Sequence, residues 1–310
     1  MSISGFLVVN KPPGYTSHQV VAAARKILAQ RQIGHTGTLD PMATGVLVLA
    51  IGAATKLISF LDEGKKIYRA RLVLGLTTDT QDLSGQVISA KTETQITGAK
   101  LADALTYFTG EQEQTPPMYS AIKVKGEPLY KLARAGKEID RAKRKITIYC
   151  LQVDEPLLPV YGFKEGPALC IECSRGTYIR TLCHELGAYL GCGGCMGDLV
   201  RLASGPFRLQ EACSLQELAQ AVTEQKLAEL LISPVDALQH LPMLSLSETQ
   251  AEKVRHGGKL LAMEFGPPPA RENDQTPPLG RGVSGDGRLV AILKYQAGST
   301  AYWQPIRVLA

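Results

Sequence analysis

Apolar and polar residues alternate along KIYRARLVLG (66–75). Tyr68, Ala70, Leu72 and Leu74 fall on one face and Arg69 and Arg71 on the other. This period of two predicts a half-buried strand. FLVVN (6–10) and VLVLAIG (46–52) are unbroken apolar runs and predict strands buried on both faces, while KITIYCLQV (145–153) and ALCIEC (168–173) predict two more. After the turn KPPGYTS, Thr16 with Gln19 three residues on forms a capping box, and VVAAARKIL predicts a helix that fades near Gln30. Further helices are predicted at ATKLISFLDEG, ended by Gly64, at KLADALTYFTG and at EPLYKLARAG, stopped by Gly136. A strongly amphipathic one follows at TYIRTLCHELGAYLG, with Gly191 just past its end. Residues 31–45, RQIGHTGTLDPMATG, read as one long loop. Strands and helices mix without βαβ alternation, so an α+β fold around a mixed, mostly antiparallel sheet is expected.

The pattern changes near Leu241. LSLSETQAEKVRHGGKL predicts a short helix and a glycine turn, and residues 265–280 hold five of the 18 prolines. GRLVAILKY and AYWQPIRVLA then predict strands. Two units are expected, residues 1–240 and a small β-rich one at 241–310. Gly280, Gly282 and Gly285 spell a G-x-G-x-x-G, but a strand follows them where a dinucleotide site needs a helix. They are read as a flexible hairpin or loop.

The 310-residue chain is 45% hydrophobic, enough for a core, and its net charge of +5 excludes a polycation without demanding or excluding a nucleic-acid partner. The first residues lack a basic leader, and the longest apolar run (45–54) is about half a membrane span. A soluble, cytoplasmic protein with no membrane partner is expected. The seven cysteines are read as reduced thiols. Cys170-x2-Cys173 and Cys192-x2-Cys195 have zinc-ribbon spacing, but a strand turns residues three apart to opposite faces, so no metal is expected.

Candidate chemistry concentrates in GHTGTLDPMATG (34–45), where two glycines bracket the single carboxylate Asp40 and Pro41 stiffens the chain after it. Spacing alone would make this an ordinary Asx-Pro turn. The stretch GHTGTLDPMATGVL, however, resembles the catalytic loop of the TruB family of pseudouridine synthases. FLVVNKPPGYTS looks like that family's N-terminal motif. Tyr68 stands where the family has its active-site tyrosine, before the run GLTTDTQD. PPMYSAIKVKGEPLYKLARAG, CSRGTYIRTLCHELG and LVRLASGPF follow in the family's order. The resemblance covers about residues 5 to 240. Residues 241–310 are similar, more weakly, to a PUA-type RNA-binding domain, with the proline-rich stretch as an insertion.

The resemblance implies a pseudouridine synthase fold and isomerisation of uridine 55 in the TΨC loop of tRNA, without cofactor or metal. The partner is then the T-arm stem-loop of tRNA, met by a monomer. Asp40 is the implied catalytic carboxylate beside the glycosidic bond. Attack on ribose C1′, attack on uracil C6 and a glycal-forming path are all compatible with the sequence. Closing such a carboxylate under a base pushes it towards protonation, and the implied cation that keeps it charged is Arg180. Tyr68 implies stacking on the flipped base and help in removing the C5 proton. Tyr178 is a second uridine contact, Leu199 closes the pocket floor, and His35 touches the RNA and helps extrude the base. Lys11 supports the loop or contacts phosphate. A uridine methyltransferase would need a glycine-rich cofactor loop between strand and helix, which the sequence lacks. A tRNA-folding chaperone role, or a same-fold synthase on another RNA, remain the alternatives.

Charge returns here with a location. Residues 121–145 carry nine Lys or Arg and three Asp or Glu, so the other 285 residues sum to −1. A charge run is usually a solvated face. This one matches the family segment that grips the stem-loop, so Lys143, Arg144 and Lys145 are expected to track RNA phosphates.

Overall fold

The computed structural model describes residues 3–61, 64–124, 126–266 and 277–309. The two unbroken apolar runs form the heart of its main sheet. Strand β1 (Gly5–Lys11) pairs antiparallel with β3 (Thr44–Ile51) from Gly5↔Ile51 to Lys11↔Gly45. Alternate side chains supply opposite faces. Leu7, Val9, Leu47, Leu49 and Ile51 enter one core cluster, and Phe6, Val8, Val46, Val48 and Ala50 enter another. With both faces covered, the central residues of both strands are apolar, and polar residues appear only at their ends, Asn10, Lys11 and Thr44.

The sheet comprises ten strands among the described residues. The remaining members needed here are β2 (Ile33–His35), β4 (Lys66–Leu74), β5 (Gly110–Gln114), β6 (Arg144–Val153), β7 (Ala168–Cys173), β8 (Gly194–Ser204) and β9 (Leu231–Ile232). Their order is β9-β1-β3-β8-β4-β7-β6-β5, with β2 beside β3. Only the β3–β8 contact is parallel along this path. On β4 the predicted face, Tyr68, Ala70, Leu72 and Leu74, is buried. Arg69 and Arg71 point outward to Asp154 at 2.7 Å and Glu155 at 2.8 Å.

Helix α1 (Ser17–Ile27) starts on the expected Thr16–Gln19 capping box. Helix α2 spans Gly98–Tyr107, and helix α3 spans Ile179–Tyr189. α3 lies directly on β8: a Cβ on Gly187 would sit 2.1 Å from the Gly194 nitrogen. Only glycine permits that approach. Residues that follow, up to Leu246, end in the short strand β10 (Met243–Leu246). No helix among the described residues is long and apolar enough to cross a membrane.

Two segments differ from the pattern-based expectation. Residues 33–35 leave the predicted loop to form β2, pairing Ile33↔Ile51 and His35↔Leu49. Strand β8 reaches only Thr44 and Gly45 of β3. The outer edge of β3 would otherwise carry unpaired backbone groups, and β2 satisfies them. The segment expected as an α-helix ended by Gly64 is a 3-10 helix, Gly52–Phe60. The Thr55 hydroxyl donates to the Gly52 carbonyl at 2.7 Å and competes for the acceptor of the first α-helical bond. Asp62 and Glu63 lie outside the described residues.

The C-terminal part builds a second sheet from β10 with β11 (Leu260–Leu261), β12 (Leu279–Ser284), β13 (Leu289–Gln296) and β14 (Tyr302–Val308), in the order β10-β12-β13-β14-β11. Helix α4 (Glu248–Arg255) covers it. The G-x-G-x-x-G stretch is the first half of an antiparallel hairpin, with Gly285 in the turn between β12 and β13. Gly280 and Gly282 lie in β12, where a Cβ would press on Leu244 and Trp303, or on Leu293 and Leu246. They make room for the buried Trp303 and its neighbours. Residues 267–276 of the proline-rich stretch lie outside the described residues.

The second core cluster crosses between the two parts. Phe6, Val48, Leu57 and Phe207 share it with Leu238, Val283, Leu289 and Ile292. The C-terminal sheet is thus seated on the main sheet through apolar side chains. Ile292→Ala should destabilise the protein by about 2–5 kcal/mol, with one thermal transition shifted as a whole. Calorimetry that resolves two transitions, only one of them moved, would contradict a shared core.

Candidate active site

The loop between β2 and β3 is held from three sides before it presents Asp40. Lys11, fully buried at the end of β1, donates from Nζ to the carbonyls of Pro12 at 2.9 Å, Tyr15 at 2.6 Å and Pro41 at 2.9 Å. The Ser17 hydroxyl, in the first turn of α1, accepts from the Leu39 N–H at 2.9 Å. From below, the buried Arg201 of β8 donates from Nε to Val46 O at 2.7 Å, and its two Nη atoms reach Thr38 O and Gly37 O at 3.4 Å. Gly45 closes the loop at φ +97°, and a Cβ there would lie 2.2 Å from the Arg201 carbonyl. No other residue fits that backbone.

Arg180, the second residue of α3, meets Asp40 at two points. Nη2 donates to Oδ1 at 3.1 Å and Nε lies 2.9 Å from Oδ2. The guanidinium is 4% exposed and also donates to the carbonyls of Thr80 at 3.1 Å and Tyr119 at 2.9 Å. A solvated helix residue is therefore excluded. A second carboxylate stands 3.7 Å from the same Nε: Asp82, also 4% exposed. Its Oδ1 accepts from the Thr80 hydroxyl at 2.7 Å, the Ser84 N–H at 2.9 Å and the Ser84 hydroxyl.

Burial pushes the Asp40 carboxyl above the usual aspartate range, Arg180 pulls it back, and Asp82 pushes it up again. Its side chain nonetheless keeps 32% of its surface open, so one side remains free for a substrate. The same burial lowers the Lys11 ammonium to about 8, against the pull of Asp40. Lys11 is thus spent on the loop's own carbonyls. These three hydrogen bonds are the geometry of loop support, the first of its two expected roles.

Tyr68, 7% exposed on β4, is the cross-strand neighbour of Arg201. Burial raises its phenol, Arg201 opposes that, and the charge of Asp40 adds to the rise. Tyr178 caps the start of α3. Its N–H donates to Gln114 Oε1 at 2.8 Å and its carbonyl accepts from Gln114 Nε2 at 3.1 Å. Its phenol is also raised by burial, and Asp40 contributes in the same direction. Leu199 sits opposite Ala70 on β8, next to a break in the β8–β4 register between Met196 and Leu199. Such irregularities re-aim side chains beside active sites.

His35 ends β2, half-buried, with its ring edge-on to His18 at 5.1 Å. Burial, then His18 and Arg201, keep it neutral more readily than a free histidine. Lys143, Arg144 and Lys145 are exposed, outside this constellation. Cys173 is buried in the core and Cys170 half-buried on the same strand. Among the described residues, no group of three or more His, Cys, Asp and Glu side chains could hold a metal ion.

Asp82 and Arg201 are the two members that sequence reading did not single out. Both stood inside quoted motifs, GLTTDTQD and LVRLASGPF, but a polar-loop aspartate and a strand arginine carry no local sign of burial. Their importance follows only from what surrounds them.

An arginine-locked, partly open carboxylate, whose charge reaches a buried tyrosine, is thus carried on a continuous mixed sheet. The comparisons give it a class. The chain shares its fold with the Cbf5 component of solved complexes. It superposes with a TM-score of 0.74 on a chain from the crystal structure of a Cbf5–Nop10–Gar1 complex, at 26% identity, covering 99% of this chain and 84% of that one. A chain from an H/ACA RNP bound to a substrate RNA containing 2′-deoxyuridine gives 0.72 at 24% identity, covering 99% and 85%. This is the pseudouridine synthase fold. Residues 25–179 match the TruB family pseudouridylate synthase N-terminal domain, and residues 180–239 match the tRNA pseudouridylate synthase B C-terminal domain. The tRNA pseudouridine synthase B of Geobacter sulfurreducens is 49% identical over 255 residues, 82% of each chain. That of Syntrophus aciditrophicus is 39% identical over 297 residues, 94% of this chain and 91% of the other. The chain belongs to the TruB family of pseudouridine synthases.

The charge arrangement predicts a pH effect. Asp82 raises the pKa of Asp40, so Asp82→Asn should let Asp40 ionise at lower pH. The acid limb of the kcat/KM profile should then move down. Arg180→Gln removes the opposing cation and should move that limb up. Shifts in the reverse directions would contradict this electrostatic order.

Proposed function

We propose that the protein isomerises uridine to pseudouridine at position 55 in the TΨC loop of tRNA. The observation that carries this reading is the Asp40–Arg180 contact, with the carboxylate partly open and Tyr68 beside it. Membership of the TruB family, and relatives named tRNA pseudouridine synthase B, support the substrate.

The target base is stacked in its loop and must be turned out. The Tyr68 ring offers it a face, Tyr178 a second contact, and Leu199 an apolar floor. His35, at the end of β2 and kept neutral by burial, stays in place as an uncharged wedge while the base leaves. In the reaction the N1–C1′ bond breaks, the uracil turns, and C5–C1′ forms. The C5 proton departs and N1 gains one, so composition is unchanged. Asp40 supplies the negative charge that the electron-poor sugar or base requires as the bond breaks. Arg180 keeps Asp40 ionised despite its burial, and Tyr68 assists loss of the C5 proton. No step calls for a cofactor. Lys143, Arg144 and Lys145, exposed at the start of β6, are assigned to the phosphates of the stem-loop. The 241–310 unit is assigned to RNA binding as a PUA-like domain. A tRNA substrate implies work in the cytoplasm.

Asp40→Asn should abolish tritium release from tRNA labelled at uracil C5 while binding changes by less than about tenfold, roughly 1.4 kcal/mol. Wild-type turnover in the variant would refute the catalytic role, and no release from the wild type would favour an RNA-folding role. For Tyr68, replacement by Phe keeps the stacking face. Tyr68→Phe should therefore bind substrate like the wild type and be slowed at the proton step, whereas Tyr68→Ala should lose activity altogether. Equal, near-normal rates for both would remove the tyrosine from the mechanism.

A further inference from the structure

Two groups of exposed cations lie around the main sheet. On its outer face they are neutralised: Lys65 pairs with Glu172, Arg69 with Asp154 and Arg71 with Glu155. Around one cleft they are not. A cleft of about 510 Å³ lies between the Gly52–Phe60 helix and the C-terminal sheet. Lys56, Arg175 and Arg307 line it, and no carboxylate does. All three are exposed, and among the described residues none has an ion-pair partner. Three like charges facing one cleft repel one another, and an anion spanning them removes that cost.

The cleft is also not isolated. Arg175, in the turn between β7 and α3, lines a second one of about 280 Å³ together with Lys66, Arg144 and Lys145. Lys66 reaches the catalytic loop, since a Cβ on Gly37 would lie 3.6 Å from its Nζ. The cations therefore form a line. It starts at the catalytic loop, passes Lys66 and Arg175, and ends at Lys56 and Arg307. Arg307 belongs to β14 of the C-terminal sheet, which Leu289 and Ile292 seat on the main sheet through the shared core. The far end of the line is thus held at a set position relative to the near end.

We propose that the Lys56–Arg175–Arg307 cleft is an RNA phosphate site distinct from the stem-loop contact, holding the backbone of the tRNA beyond the stem-loop whose base enters the active site. This rests on tRNA being the substrate. The near end of the line, at Lys66 and Arg144, is taken by the loop that delivers the base. A continuous polyanion that reaches Asp40 has the far end available for its next helical segment. A free phosphate would need only one such cluster. A line of them fits a polymer.

The test is binding as a function of salt, with the triple variant K56Q/R175Q/R307Q, to unmodified full-length tRNA and to the isolated T-arm stem-loop. Each phosphate contact contributes about 0.7–0.9 to the slope of log K against log salt. The triple variant should flatten the slope for full-length tRNA by roughly 2–3 and weaken its binding at least about tenfold near 0.15 M salt, by that same relation. The stem-loop slope should change by less than about one contact's worth. R175K/R307K, which keeps the charge, should retain the wild-type slope and so separates lost contacts from lost fold. An unchanged slope on full-length tRNA overturns the proposal. So does an equal loss on the stem-loop, or failure of the lysine variant to restore the slope. Tritium release by the wild type on the same tRNA is read in parallel. Its absence would sink the tRNA reading itself, whereas normal release with an unchanged slope would sink this cleft alone.

Discussion

Everything at this site depends on holding a partly open carboxylate against a buried guanidinium. Asp40 meets Arg180 at two points, Arg180 is 4% exposed, and Asp82 draws on the same guanidinium at 3.7 Å. Removing a carboxylate from beside the buried Arg180 leaves that cation under-compensated where solvent replaces the partner poorly. The three members come from different places: the loop before β3, the loop after β4, and the start of α3. Their meeting requires β3, β8 and β4 to lie side by side, as they do in the sheet order. The single parallel contact, β3 against β8, brings Gly45 beside Arg201 and so anchors the Asp40 loop on the strand that also faces Tyr68.

That anchoring is made from backbone carbonyls and two buried cations. Lys11 holds Pro12, Tyr15 and Pro41, and Arg201 holds Gly37, Thr38 and Val46. Carbonyls are weak counter-charges, so both cations also lean on the field of the site. Lys11 feels Asp40, and Arg201 acts on the Tyr68 phenol. Loop geometry and active-site electrostatics are consequently one problem. A change that frees either cation alters where Asp40 stands and how readily it ionises. The shared apolar core extends the same rigidity to the C-terminal sheet, so a basic line can run from the catalytic loop to β14 as a single surface.

Much of this was legible in the order of residues, and the boundary of legibility has a physical cause. Alternation on β4, the unbroken runs of β1 and β3, and the Thr16–Gln19 cap are local patterns, and each emerged as read. So did Gly191, which carries φ +76° past the end of α3. The misreadings concern groups whose partners are distant in sequence. Residues 33–35 became a strand because β3 had an open edge.

By itself the sequence determined most of the elements, the α+β class, the loop carrying Asp40 and, through its ordered motifs, the family. Those depend on periodicity and on residue types in fixed succession, which are short-range properties of the chain. Only the tertiary structure decided that Asp82 is a buried competitor for Arg180, that Arg201 supports both loop and tyrosine, and that Arg175 joins two basic clefts into one line. Burial, ion pairing and the absence of a neutralising partner are properties of neighbours in space. Side chains separated by about a hundred residues become neighbours only when the sheet closes around them.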